Sequence, residues 1–223
     1  MAKYKYLFFD LDGTLTDSAS GIINSVIYGL EKIGEPVPDM EVLLKFIGPP
    51  LSYSYREYCG LSEEKTKEAI KGYREVYAVK GLYDNKLYDG IYETLKECVD
   101  RGYYLAIASS KPEPFVEEIL KYFNIREFFS CVSGAELNGP RGKKEEVIED
   151  AFKFIGIDSD EKRAQTVMIG DRHYDINGAK TFGIDSIGVE YGFADEGELK
   201  AAGATYVVET VEDLKKLLIE LSE

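Results

Sequence analysis

Residues 6–18 read YLFFDLDGTLTDS, from Tyr6 to Ser18, and the order of these side chains decides the fold. Tyr6–Phe9 is a short, wholly apolar run, the pattern of a strand buried on both faces of a parallel sheet. It ends in Asp10, followed by Asp12, Gly13 and Thr14. Residues two apart on an extended chain point to the same side, so both carboxylates can address one ligand beyond the strand end. Gly13 permits a sharp turn there, and Thr14 can help fix it. A lone Asp-x-Asp in a loop would read as turn or cap residues, whereas here an apolar strand runs straight into the pair.

Further apolar runs predict strands at Tyr104–Ala108, Ser130–Ser133, Thr166–Ile169 and Ser186–Val189. Amphipathic stretches predict helices at Gly90–Asp100, Glu113–Tyr122, Lys144–Phe154, Ile176–Phe182 and Val211–Leu221. Strand and helix in alternation predict an α/β fold with a doubly wound parallel sheet, whose ligand site lies beyond the carboxyl ends of its strands. Residues 16–85 interrupt the alternation with helical periodicity and no strand. Pro36, Pro38, Pro49, Pro50 and Gly60 divide this stretch into about four helices. The expected organisation is a core domain of residues 1–15 and 86–223 with an all-helical cap inserted at 16–85. The tyrosines of the insertion, among them Tyr53, Tyr55, Tyr58, Tyr73 and Tyr77, read as aromatic packing between its helices.

The composition narrows the class of partner. A chain of 223 residues with 44% hydrophobic and 30% charged residues is an ordinary globular one. Its formal net charge of −14 argues against a nucleic-acid or anionic-membrane surface, since both require basic patches. A small anionic substrate stays open, provided that a metal, a few lysines and arginines or helix N-termini supply local positive charge. Cys59, Cys98 and Cys131 form no CxxC pair and suggest neither a disulfide framework nor a zinc site. The beginning, MAKYKYLFF, has no signal-peptide pattern, and no apolar run is long enough to span a membrane, so a cytoplasmic protein is expected.

The stretch DLDGTLTDS resembles the first motif of the haloacid dehalogenase superfamily, and the remaining motifs of that family can be matched along the whole chain. The resemblance implies a Rossmann-like core with a helical cap, and a phosphatase similar to phosphoglycolate phosphatase and its nucleotidase and pyrophosphatase-like relatives. It implies that Asp10 is the nucleophile, forming a phospho-aspartate, and that Asp12 is the general acid and base. It also implies Mg²⁺ held by Asp10, by the backbone carbonyl of Asp12 and by downstream acids. A carboxylate suits that role because its acyl phosphate hydrolyses readily, so that one hard displacement becomes two easier ones.

In YLAIASSKP, Ser109 and Ser110 match the second motif and can donate to a phosphoryl oxygen, with Gly13 and Thr14 beside them in the substrate-binding set. Pro112 suits the first turn of the following helix. Alternatively Ser110 caps that helix. In LNGPRGKKEEVIED, Lys144 aligns with the family lysine by its spacing to the apolar helix face, with Lys143 as the other candidate and Arg141 as a helper. In VMIGDRHYD, Asp171 is expected as a direct metal ligand and Asp175 as a more distant or water-mediated one, or as the cap of the helix near Ile176. His173 is assigned no chemistry, since the spacing leaves it on the exposed side and Asp12 already fills the acid–base role.

An acid at position 12 favours phosphate-ester hydrolysis or phosphoryl transfer between sugar hydroxyls, because an alkoxide leaving group needs a proton. The expected substrate is a small-molecule phosphate ester, phosphoglycolate-like or a nucleoside monophosphate, turned over by a monomer or homodimer. FIGPPLSYSYREY resembles the family's specificity loop, and Arg56 within it, with Arg74 further on, can pair with a substrate carboxylate or second phosphate. A sugar phosphomutase of the same fold is the rival enzyme reading. A catalytically silent binding protein is the rival of another class, disfavoured because Asp10, Asp12, Lys144 and Asp171 are all present.

Overall fold

The structure is a computed structural model and describes residues 3–137 and 141–223. In chain order, β1 (Tyr6–Phe9) and β2 (Thr16–Asp17) lead into α1 (Ala19–Lys32), α2 (Met40–Leu44), α3 (Leu51–Cys59) and α4 (Glu63–Val76). A π-helical turn at Tyr77–Gly81 and β3 (Lys86–Leu87) follow, then α5 (Ile91–Asp100), β4 (Tyr104–Pro112), α6 (Glu113–Tyr122) and β5 (Phe129–Ala135). The chain continues through α7 (Lys144–Ile155), α8 (Asp160–Ala164), β6 (Thr166–Gly170), α9 (His173–Thr181) and β7 (Asp185–Val189). It ends with α10 (Glu198–Ala201), β8 (Tyr206–Val208) and α11 (Val211–Glu220).

Two compact units result, one of residues Met1–Thr16 and Leu87–Glu223, the other of Asp17–Lys86. The first holds a six-stranded sheet in the order β5-β4-β1-β6-β7-β8, with every pair parallel. Both faces are covered, which is why β1 is apolar throughout rather than alternating. Phe8, Ala106, Ala108 and Met168 form one face with Val147, Ile148, Ala151 and Phe152 of α7 and Ala179 of α9. The first strand sits at the centre, with Phe9 level with Ile107 of β4 on one side and Ile169 of β6 on the other. The residues that follow these positions, Asp10, Ala108–Ser109 and Gly170–Asp171, therefore emerge together at one end of the sheet, where the strand order reverses.

In the helical unit, α1 packs on α4, and the prolines and Gly60 fall between helices. Tyr55 and Tyr77 are fully buried, Tyr73 stacks on Tyr77 at 5.0 Å, and Phe46 meets the rings of Tyr55 and Tyr58, so these aromatics are packing residues. Tyr53 departs from that reading and is exposed. No helix among the described residues is long and apolar enough to cross a membrane.

The strands at β4 to β7 lie where the apolar runs predict them, with β4 and β5 longer than expected. β8, α8 and α10 carry no sequence signal because three to five residues are too few to show a period. The last of the predicted core helices before α11 begins earlier than expected, at His173 rather than near Ile176. Pro112 ends β4 as the residue before α6, and Pro114 occupies the first turn instead.

The packing on β1 makes a direct prediction. Phe8→Ala, which removes a fully buried ring seated 5.4 Å from that of Phe152, should lower the unfolding free energy by about 3–5 kcal/mol in urea titration. Phe154→Ala, at a position 74% exposed on α7, should leave the midpoint unchanged.

Candidate active site

Asp10 follows β1 directly and is buried. Its Oδ1 accepts the backbone N–H of Leu11 at 2.8 Å and lies 3.0 Å from Nζ of Lys144. Lys144 is the first residue of α7, buried, and its ammonium also donates to the carbonyl of Ala108 at 2.9 Å and pairs with Asp175 Oδ1 at 2.7 Å. Lys143 precedes the helix and is exposed, so Lys144 is the lysine that the fold turns inward. Arg141 is bound to Asp150 and Glu113 and contributes nothing to this cluster.

Asp171 follows β6 and is 1% exposed. Its Oδ2 accepts the backbone N–H of Phe193 at 2.8 Å, and its Oδ1 lies 3.4 Å from the Thr14 hydroxyl. Asp175 sits in the first turn of α9, where its Oδ2 accepts the Arg172 backbone N–H at 3.1 Å. The capping alternative thus holds for Asp175, from inside the helix rather than from the residue before it. One ligand oxygen from each of Asp10, Asp171 and Asp175 falls within 4.8 Å of the others, and all three residues are buried.

Gly13 and Gly170 make this crowding feasible. Gly13 has φ +78°, and a Cβ there would lie 2.0 Å from Asp171 Oδ2. A Cβ on Gly170 would lie 2.1 Å from Asp175 Cγ. No side chain fits at either position without displacing a carboxylate.

The electrostatics follow from burial. For Asp171, removal from water and then the neighbouring Asp175 and Asp10 charges push the carboxyl well above the ordinary carboxylate range, against the Phe193 hydrogen bond. Asp175 is raised to about 6, chiefly by burial, with Lys144 opposing the rise. Burial works to lower the pKa of Lys144, but Asp10 and Asp175 more than reverse it and the ammonium is held charged. Three clustered carboxylates, two of them paired with one ammonium, leave two negative charges unmatched when all are ionised. Clustered hard oxygen donors with that deficit fit a divalent cation such as Mg²⁺.

Asp12 has a partner of its own. Its carboxylate stands outside the acidic cluster and instead pairs through both oxygens, each at 2.7 Å, with Nζ of Lys111, the two side chains being 11% and 4% exposed. Lys111 lies within the very stretch read for its serines, and sequence alone gave it no role because a lysine after a strand is ordinarily a solvated one. Ser109 is 1% exposed, and its hydroxyl accepts the Lys111 backbone N–H at 3.3 Å. Ser110 belongs to β4 and does not cap α6, whose preceding residue is Pro112. Arg56 lies on α3 of the helical unit, exposed, with Nε donating to its own helix at the Ser52 carbonyl, 3.1 Å away; Arg74 lies on α4 of the same unit. His173 opens α9 with Nδ1 2.6 Å from Glu198 Oε1.

Residues 7–189 match the haloacid dehalogenase-like hydrolase family. The chain belongs to that family. It is 40% identical to a 5′-nucleotidase of Pseudomonas aeruginosa over 97% of this chain and 96% of the relative. It is 37% identical to the tyrosine-protein kinase PtkA of Mycobacterium tuberculosis over 95% of this chain and 72% of that protein. Among solved structures, that of a predicted phosphatase from Clostridium acetobutylicum superposes with a TM-score of 0.91 at 45% identity, covering 97% of this chain and 99% of the other. As a haloacid dehalogenase-like hydrolase with relatives of this kind, the protein is a phosphatase.

Charge crowding sets a pH signature for the metal-free protein. Because folding raises the proton affinity of Asp171 above its ordinary value of 3.8, the folded chain takes up protons, and stability falls as pH rises above that value. Asp171→Asn keeps an acceptor for Phe193 and removes the charge. In chelator at neutral pH it should melt at a higher temperature than the parent, with the gain shrinking as pH is lowered towards 4, where the parent carboxyl is protonated as well.

Proposed function

We propose that this chain hydrolyses small phosphate monoesters, a phosphoglycolate-like metabolite or a nucleoside 5′-monophosphate, through a phospho-aspartate on Asp10 and with Mg²⁺. The carrying observation is the Lys144 ammonium shared between Asp10 and Asp175 inside a buried three-carboxylate cluster, a site short of positive charge. The 5′-nucleotidase relative, aligned over nearly the full length of both chains, favours nucleotides within that class.

Asp10 and Asp171, with the Asp12 backbone carbonyl, would hold the ion, while Asp175 spends its two oxygens on Lys144 and the Arg172 backbone and so orients the lysine. When bound, the ion offsets the negative charge that cluster and phosphoryl group share. In the first half-reaction an Asp10 oxygen bonds to phosphorus, the bond from phosphorus to the leaving oxygen breaks, and Asp12, entering the step protonated on one oxygen with the other still held by Lys111, gives the leaving oxygen that proton. In the second, Asp12 takes a proton from water as the water oxygen attacks the same phosphorus, releasing phosphate and restoring Asp10. Lys144 neutralises the transferring group, and Ser109, Ser110 and Thr14 supply hydroxyl donors near it. Lys111 holds the Asp12 carboxylate in one orientation by both oxygens.

We read residues 1–15 and 86–223 as the catalytic domain and 16–85 as a cap that selects substrates, with Arg56 recognising a second anionic group. Phosphate release should be measured across phosphoglycolate, nucleoside monophosphates, sugar phosphates and pyrophosphate. Release should require Mg²⁺ and fall by at least about a thousandfold in Asp10→Asn, which keeps the shape and removes the nucleophile. Release from none of these compounds by folded, Mg²⁺-supplemented protein would refute the reading. Lys111→Ala, which frees Asp12 to wander, should lower kcat by about tenfold to a hundredfold in the same assay.

A further inference from the structure

Asp171 is held by a support that none of the acidic motifs contains. Its loop, between β6 and α9, is short, and the two residues after it both bind Glu198, the first residue of α10. Glu198 Oε1 accepts from Arg172 Nε at 3.0 Å and from the His173 backbone N–H at 2.8 Å, and lies 2.6 Å from His173 Nδ1. Glu198 Oε2 accepts the Asp195 backbone N–H at 3.0 Å. The side chain is 11% exposed. Burial alone would raise its pKa, but the backbone donors of His173 and Asp195 and the side chains of Arg172 and His173 bring it down to about 2.

A second loop closes the circuit. Between β7 and α10 the chain places Tyr191, whose hydroxyl donates to the Thr14 carbonyl at 2.9 Å, and Phe193, whose N–H binds Asp171 itself. A Cβ on Gly192 between them would lie 2.4 Å from both Asp171 Cβ and the Gly13 carbonyl, so this loop lies directly against the acidic strand ends. Glu198 binds both the loop after β6, at Arg172, and the loop after β7, at Asp195. Groups that orient a ligand from behind affect metal affinity almost as much as the ligand does.

We infer that Glu198 is a positioning residue for the Asp171 carboxylate, tying together the two loops that aim it and thereby setting the affinity of the site for a divalent cation. The inference rests on the metal reading given above, and it concerns binding rather than chemistry.

The test is calorimetric titration of the full-length chain with Mg²⁺ and with Mn²⁺, beside thermal unfolding of each variant in chelator. Glu198→Ala should weaken binding by about tenfold to a hundredfold. Glu198→Gln keeps an oxygen for the loop after β6 but turns an amide N–H towards the Asp195 donor, so its affinity should fall between parent and Ala; it also serves if the Ala variant does not fold. Glu190→Gln, on the loop after β7, which weakens a half-exposed pair with Lys200 of α10, should bind as the parent does. Parent-like affinity in both Glu198 variants would overturn the inference and leave Glu198 a helix-end anchor. Absence of binding by the parent chain would instead remove the metal reading, and this inference with it.

Discussion

Three carboxylates packed together out of water, with one lysine between two of them, are the constraint on which the rest of this core depends. Like charges at such separations in a low-dielectric interior cannot all stay ionised unaided. Lys144 holds two of them apart and together at once, at 3.0 Å from Asp10 and 2.7 Å from Asp175. Removing one partner of a buried ion pair costs about 3–5 kcal/mol because the other is left uncompensated, so the geometry is self-enforcing. The remaining negative charge makes this a cluster that could hold a cation.

A parallel sheet is what makes so dense a cluster possible. With β1 at the centre and its neighbours in register, successive strands deliver Asp10, Ser109 and Asp171 to one end without any loop having to reach. Helix α7 then supplies the lysine from its first residue, where an inward side chain meets acids rather than core. The glycines at 13 and 170 are the volume left vacant for these groups, since a single methyl at either would occupy the place of a carboxylate atom. Behind the acids a second layer, Lys111 on Asp12 and Glu198 on the loops beside Asp171, converts converging residues into oriented ones.

How much of this could be read beforehand depended on the range over which each signal acts. The strands β1, β4, β5, β6 and β7 were legible because each is an apolar run bounded by breakers, and Asp10, Asp171 and Lys144 were legible because they close or open such elements. Lys111 was not, since its partner is 99 residues away and nothing local separates a buried lysine from a solvated one. Glu198 was hidden for the same reason: it stands on a four-residue helix whose period cannot be seen. Asp12 shows the same limit from the other side: alternation along a strand predicts the side its carboxylate takes and not its partner, Lys111.

The sequence by itself determined the longer strands and helices and their order, and so where strand ends would gather acids, because apolar periodicity and breaker residues act over a few neighbours. Only the tertiary structure decided which charges pair. Lys144 on Asp10 and Asp175, Lys111 on Asp12, and Glu198 on Arg172 and His173 each join distant segments, and burial, which gives those pairs their strength, exists only once the sheet is assembled.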